Sequence, residues 1–238
     1  MIDHYKGVIQ DLVDYMDSPV PDWNDANNKA AKEWNDNPPK TEKDYIKYYQ
    51  NSMAYIDAMA SYNADSKKIR LIKKIEKVMD TVFKKYGKPK FIIDFGCGVG
   101  SDSLHFTEKG YYVTAVDVKS LASSFALYRF KKHKAIVKFI ISGKKLPKTD
   151  MILSLDTLEH VFDPFKTIDY LLIAQPKYLI LTTAFGIHET AEHTIPQHTD
   201  YSVHKLEQYI ESKGYKKEKV NMAFPPRVFV KQKWKYSL

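Results

Sequence analysis

The sequence predicts an α/β fold: a three-layer arrangement in which helices cover a mostly parallel sheet, with a helical cap ahead of it. Three observations carry this expectation. From Lys88 onward, short apolar runs alternate with helix-like segments, the pattern of a parallel sheet buried on both faces. The first of these runs, Phe91 to Phe95, breaks into the alternating glycines Gly96, Gly98 and Gly100. Residues 1–87 show helical periodicity and no comparable strand runs. The expected organisation is a helical cap or substrate-recognition region over 1–87 and a sheet domain over 88–238.

Taken in order, residues 3–16 place Ile9, Leu12, Val13 and Met16 on one side of a helix. Ser18 to Pro39 is dense in Pro, Asp and Asn and reads as a loop carrying Trp23 and Trp34. Thr41 with Asp44 forms a capping-box pattern that opens a tyrosine-rich helix to about Tyr62. Its tyrosines suit a half-buried packing face or a wall facing a substrate. A longer helix begins at Asp65 or Ser66, carries Ile69, Ile72, Ile75, Val78, Met79, Val82 and Phe83 as its stripe, and stops at Gly87. Lysines at 67, 68, 73, 74, 77, 84 and 85 are expected on its wet face. Strands follow at 90–95, 111–116, 136–141, 151–155 and 177–183. Helices are expected at about 101–109, 120–132, 164–174 and 203–213, and two last strands near 216–223 and 227–233 close the chain.

Bulk composition narrows the function classes. A chain of 238 residues buries a full core without metal or disulfide staples. The single cysteine, Cys97, excludes an internal disulfide and fits a reducing, cytoplasmic setting. The N-terminus lacks the layout of a signal peptide, and no apolar run approaches the ~18 residues of a membrane span. The formal charge of +8 invites nucleic acid as a partner, yet the only arginines are Arg70, Arg129 and Arg227, and phosphate recognition favours the guanidinium fork. The charge therefore reads mainly as solvated surface. Oligomeric state is left open.

The informative stretch is Asp94-Phe95-Gly96-Cys97-Gly98-Val99-Gly100-Ser101. Glycine permits positive φ and a close approach to the backbone, and the helix that follows would aim its unpaired N–H groups over the turn. The next strand ends in Asp117, an acid placed to meet the two hydroxyls of a ribose. The dinucleotide fingerprint would need a glycine where Ser101 stands. The pattern is D-x-G-x-G-x-G, and it resembles that of the S-adenosylmethionine (SAM)-dependent methyltransferases of the Rossmann-like class. The resemblance implies a sheet with an antiparallel strand at its C-terminal edge. It also implies Asp94 near the methionine end of SAM, the loop Gly96, Cys97, Gly98 and Gly100 beneath it, Asp117 with Val118 at the ribose, and Asp156 as a further contact. The family often has Asp near position 142 for the adenine amino group. Ser142 stands here, which leaves that contact in question.

A second stretch, Asp156-Thr157-Leu158-Glu159-His160-Val161-Phe162-Asp163-Pro164, resembles the EHV-x-DP segment of small-molecule methyltransferases, including the ubiquinone-pathway O-methyltransferases. The resemblance covers about residues 88 to 235. It implies methyl transfer to a small or medium-sized metabolite, most readily at oxygen or nitrogen. Asp156, Glu159 and His160 at i, i+3 and i+4 also have the character of divalent-metal ligands. They resemble the E-x-x-E-H with which some ubiquinone-pathway O-methyltransferases and the RNA 3′-end 2′-O-methyltransferases bind a metal, with Asp156 in place of the first Glu. The RNA enzymes add a distant histidine. His198 is the candidate here. The alternative for Asp156 and Glu159 is a capping box at a helix start. His160 is the first candidate general base and His198 the second, against a structural role for either. Metal-assisted methylation of RNA, and SAM binding without turnover, are the competing functions.

Overall fold

The structure is a computed structural model, and it describes residues 4–183, 185, 202–220 and 226–232. The sheet runs through β1 (Phe91–Phe95), β2 (Tyr112–Asp117), β3 (Val137–Ile141), β4 (Met151–Leu155), β5 (Tyr178–Thr182), β6 (Tyr215–Lys217) and β7 (Arg227–Lys231). Their order is β3-β2-β1-β4-β5-β7-β6. The first five strands are parallel, and β7 pairs antiparallel with both β5 and β6. The expected antiparallel strand is therefore β7, with β6 at the edge beyond it.

Successive residues on a strand point to opposite faces, and both faces are apolar. Ile92, Val113, Leu153 and Ile180 pack beneath α5 (Ser66–Tyr86) through its Ile72, Ile75, Met79 and Val82. Ile93, Val116, Ile152 and Leu179 pack against Ile168 and Leu171 of α8 (Pro164–Leu172) and Leu206 and Ile210 of α9 (Val203–Ser212). The remaining sheet helices are α6 (Ser101–Glu108) and α7 (Leu121–Lys132).

Ahead of α5 lie α1 (Val8–Met16), α2 (Trp23–Asp36), α3 (Glu42–Asn51) and α4 (Met53–Ala64). Three expectations change here. The stretch read as a loop contains α2, capped by Asp22 accepting from the Asp25 N–H. Local Asn and Asp content loses to tertiary packing, because Ala26 and Ala30 let α2 lie close on Ala54 and Ala58 of α4. The single tyrosine-rich helix is two, broken at Ser52, whose extended backbone (ψ 117°) ends α3 and whose hydroxyl caps α4. Lys68 is not on the wet face of α5: it is 3% exposed. The capping box at Thr41 and Asp44 forms as expected, as do the Asp65 cap and the Gly87 stop of α5.

Arg129 of α7 ties the N-terminal segment to the glycine loop. Its side chain is fully buried. It donates to Asp11 Oδ2 (2.9 Å), the Val99 carbonyl (2.8 Å), Ser101 Oγ (2.9 Å) and the His4 carbonyl (2.6 Å). Lys132 and His133 also reach Asp11, each at 2.8 Å. Burial raises the Asp11 carboxyl, but the hydrogen bonds from Lys132, His133 and Arg129, with the Arg129 charge, overcome it and bring it down to about 2. Asp11→Ala strands the guanidinium in an apolar setting. It is expected to lower unfolding free energy by about 3–5 kcal/mol, read from the urea midpoint at constant m-value.

Candidate active site

The order of the parallel strands reverses between β1 and β4, which opens a crevice beyond their carboxyl ends. A cavity of about 430 Å³ occupies that place, within the range of ~300–1,000 Å³ usual for small-molecule sites. Its lower wall is the glycine loop with Asp117, Val118, Ser142 and Asp156. Its upper wall comes from the N-terminal helices, through Trp23, Tyr49, Tyr55, Met59, Tyr62 and Lys68. The tyrosine-rich segment divides between packing and the cavity wall. Tyr45 packs edge-to-face on the buried Trp34, while Tyr49, Tyr55 and Tyr62 face the cavity.

The glycines are required by their neighbours as well as by their φ angles. Gly96 has φ +74°, and a Cβ there would collide with the Thr157 side chain. Gly98 has φ +51°, and its Cβ would collide with Met59 Sδ. Gly100 starts α6 and packs on Phe130, away from the cavity lining. Cys97 lines the cavity but is nearly buried, and burial pushes its thiol well above the usual range, which removes the thiolate a reactive cysteine needs.

The carboxylates differ in environment. Asp117 Oδ2 accepts from the Gly98 N–H and its Oδ1 from the Val118 N–H, both at 2.7 Å. These bonds fix the group at the cavity wall and leave each oxygen a further lone pair. Burial raises its pKa to about 6 against those two N–H donors. Asp94 lies one layer deeper, outside the lining, and accepts from Ser103 Oγ at 2.6 Å. Burial and then the charge of Asp102 push it up to about 7. Asp156 sits at φ +53° just past β4. It accepts from Tyr62 (2.8 Å) and Thr182 (2.7 Å) and faces Lys68 Nζ at 3.5 Å. Burial works to raise it, but Lys68 and the two hydroxyls hold it below the ordinary value. Lys68 Nζ also lies 3.1 Å from Asp102 Oδ2, and Asp102 in turn accepts from the Tyr5 hydroxyl at 2.6 Å. Burial disfavours the ammonium, yet Asp102 and Asp156 raise the Lys68 pKa above its usual range.

The metal expectation does not fit this donor set. Asp156 is committed to Lys68, Tyr62 and Thr182, and among the described residues no group of three ligating side chains converges. His198 lies outside the described residues. Nor do Asp156 and Glu159 form a capping box. The turn Leu158–His160 is 3₁₀, preceded by Thr157 with no side-chain cap. Glu159 is 2% exposed, and the His160 ring approaches the Tyr49 hydroxyl with Nδ1 at 3.3 Å. Both line the cavity. Lys68 and Asp102 are the residues that sequence reading missed. The available signal was spacing: Lys68 stands four residues before Ile72 and seven before Ile75, on the buried stripe.

Residues 67–184 match the family model of a methyltransferase domain. The chain belongs to the class I SAM-dependent methyltransferases. No curated protein matches it by sequence. Among solved structures, it is similar to magnesium protoporphyrin IX methyltransferase (ChlM) from Synechocystis PCC 6803 with bound SAM. That likeness covers 87% of this chain and 97% of that one at 17% identity, with a TM-score of 0.52. The same enzyme with bound SAH gives 89%, 100%, 16% and 0.52. A SAM dependent methyltransferase from Aquifex aeolicus is similar over 64% of this chain and 87% of that one, at 19% identity and a TM-score of 0.48. At such identities the likeness is one of fold. Neither the family model nor these structures single out the ubiquinone-pathway subgroup. Among the described residues of this methyltransferase, no helix is long and apolar enough to cross a membrane.

The cavity suits SAM by its donor set: an anchored carboxylate with free lone pairs, a turn whose backbone borders the cavity, and an ammonium, Lys68, in the wall. Two outcomes follow for this methyltransferase. Hydroxyl donors favour the ionised form of Asp117, whose pKa is raised to about 6. SAM affinity should be full above that pH and fall by up to tenfold per pH unit below it. Calorimetry between pH 5 and 8 should show proton release on binding near pH 6, and Asp117→Asn should flatten the profile. Gly96→Ala forces a strained φ and displaces Thr157, and should weaken SAM binding at least tenfold in the same assay.

Proposed function

We propose that this methyltransferase moves the methyl group of SAM to a small or medium-sized metabolite, at nitrogen or oxygen, in the cavity between the glycine loop and the N-terminal helices. The observation that carries this reading is the single cavity wall shared by the cofactor-side residues Gly98 and Asp117 and the aromatic residues Trp23, Tyr49 and Tyr55. In this reading Asp117 and Val118 hold the ribose, and Ser142 lies on the adenine side. The glycine loop carries the methionine portion, and Lys68, the one cation among the described lining residues, meets the carboxylate end. Residues 1–87 form the acceptor-recognition region.

SAM supplies an already activated methyl group. What falls to the chain is placing the acceptor in line and excluding water. Tyr49 and Tyr55 wall the acceptor side, their rings 4.9 Å apart and nearly edge-to-face. His160, oriented by the Tyr49 hydroxyl, takes the proton that the acceptor loses. A proton transfer of this kind contributes ~10²–10⁴-fold.

Methyl-labelled SAM incubated with fractionated small metabolites and, separately, with RNA tests the reading. Label is expected in a small-molecule fraction and should vanish with Asp117→Ala. Label in RNA alone, or in no fraction, would overturn it. His160→Gln should lower kcat by about 10²-fold or more with unchanged SAM affinity by calorimetry.

A further inference from the structure

The charge inside the cavity opposes the charge of the chain. The protein carries a formal +8, but the described lining residues set Asp102, Asp117, Asp156 and Glu159 against Lys68 alone. Counted formally and leaving the histidine aside, the described wall holds three more acidic groups than basic ones. SAM itself has one net positive charge, from a sulfonium and an ammonium against one carboxylate. By the same formal count, the described wall keeps an excess of acidic groups when SAM is loaded. Lys68 is held between Asp102 and Asp156 and, in the reading above, meets the SAM carboxylate, so it offers no further charge to an anionic acceptor.

The acceptor side adds a second, independent feature. Trp23 from α2, Tyr49 from α3 and Tyr55 from α4 line the cavity with aromatic rings, and the His160 ring centre lies 6.1 and 6.4 Å from those of Tyr49 and Tyr55. The buried Glu159 is the neighbour of His160 in the same turn and also lines the cavity. Aromatic faces beside a carboxylate attract an organic cation, through the ring quadrupole and through direct charge. The same surroundings repel a carboxylate or phosphate group, because charges in a cavity walled by protein are screened less than charges on the surface.

From these features, and resting on the methyl-transfer reading above, we infer that the acceptor is an organic amine that enters as its ammonium and is methylated at nitrogen. The step balances without a further reagent. One ammonium proton passes to His160 and on to solvent. The freed nitrogen lone pair forms the new N–C bond as the C–S bond breaks, and the bonding pair stays on sulfur, leaving a neutral thioether and a methylated ammonium. That product keeps its positive charge, so the wall does not switch from attraction to repulsion during turnover.

The test uses three probes of similar shape with the full-length protein saturated in S-adenosylhomocysteine: 2-phenylethylamine, 2-phenylethanol and 3-phenylpropionate. Ligand-observed NMR titration should rank the amine first, at least tenfold tighter than the carboxylate. Glu159→Gln should cut the preference for amine over alcohol several-fold while leaving alcohol binding unchanged. Tyr55→Leu, on a half-buried helix face, should weaken the amine more than the alcohol and gives a second reading if Glu159→Gln fails to fold. Equal or tighter binding of the alcohol or the carboxylate would overturn the amine assignment, even with S-adenosylhomocysteine bound. Failure of SAM and S-adenosylhomocysteine to bind at all would instead sink the methyl-transfer reading.

Discussion

One buried ammonium holds the active end of this sheet together. Lys68 lies against Asp102 from the first turn of α6 and Asp156 from the end of β4, with Asp94 close enough for its own titration to feel both Lys68 and Asp102. Carboxylates brought together away from water repel one another and lose hydration. Here the compensating charge comes from a helix that precedes the sheet in sequence. Sheet pairing already sets β1 beside β4, and docking of α5 supplies the charge that offsets the carboxylates gathered beyond them. Docking places the apolar stripe of α5 on the sheet face and, four residues before Ile72, the lysine at the sheet's carboxyl edge.

A second buried cation performs the matching task on the other side of the glycine loop. Arg129 satisfies the Val99 carbonyl and the Ser101 hydroxyl while pairing with Asp11 of α1. The loop from Gly96 to Gly100 is thus fixed by contacts that originate outside it: Thr157 over Gly96, Met59 over Gly98 and Phe130 against Gly100. Absence of a Cβ at these positions is first a packing requirement between protein elements, and the loop's place at the cavity floor follows from it. These contacts add to the turn's own backbone bonds, Gly96 N–H to the Val116 carbonyl and Gly100 N–H to the Cys97 carbonyl, each at 2.8 Å. The packing over the glycines explains why the N-terminal helices and the cofactor side share contacts with different parts of one loop.

What could be read from sequence was what depends on neighbours in the chain. The strand-glycine-helix order, Asp117 at a strand tip, the Thr41 box and the Gly87 stop rest on spacings of a few residues, and each appears where spacing placed it. What escaped depends on distant partners. Helix α2 looks like a loop until Ala26 and Ala30 meet Ala54 and Ala58. Lys68 looks like one more surface lysine because charged residues are almost never buried unpaired, and its partners lie 34 and 88 positions further along the chain. The run at 156–160 reads as metal ligands when residue type is combined with helical i, i+3, i+4 spacing. Its geometry differs, because the positive φ of Asp156 turns its carboxylate toward Lys68, Tyr62 and Thr182, while Glu159 and His160 continue in a separate 3₁₀ turn.

The separation of charge between surface and cavity bears on the choice between metabolite and nucleic acid. Mobile ions screen exposed lysines over about 8 Å at physiological ionic strength, so the +8 of the chain acts mainly on what approaches from outside. Inside, low polarisability and fixed partners leave the wall charges much less screened. A polyanion could gather on the surface, yet inserting a phosphate-flanked hydroxyl beside Asp102, Asp156 and Glu159 would set like charges together inside a protein-walled cavity. Arginine forks that would offset such repulsion are missing from the described lining residues, because Arg129 is spent on Asp11 and the glycine loop, and Arg227 pairs with Glu207. The chain's basicity is thus a property of its exterior, and the chemistry of the cavity is set by the smaller, opposite charge that its buried carboxylates retain.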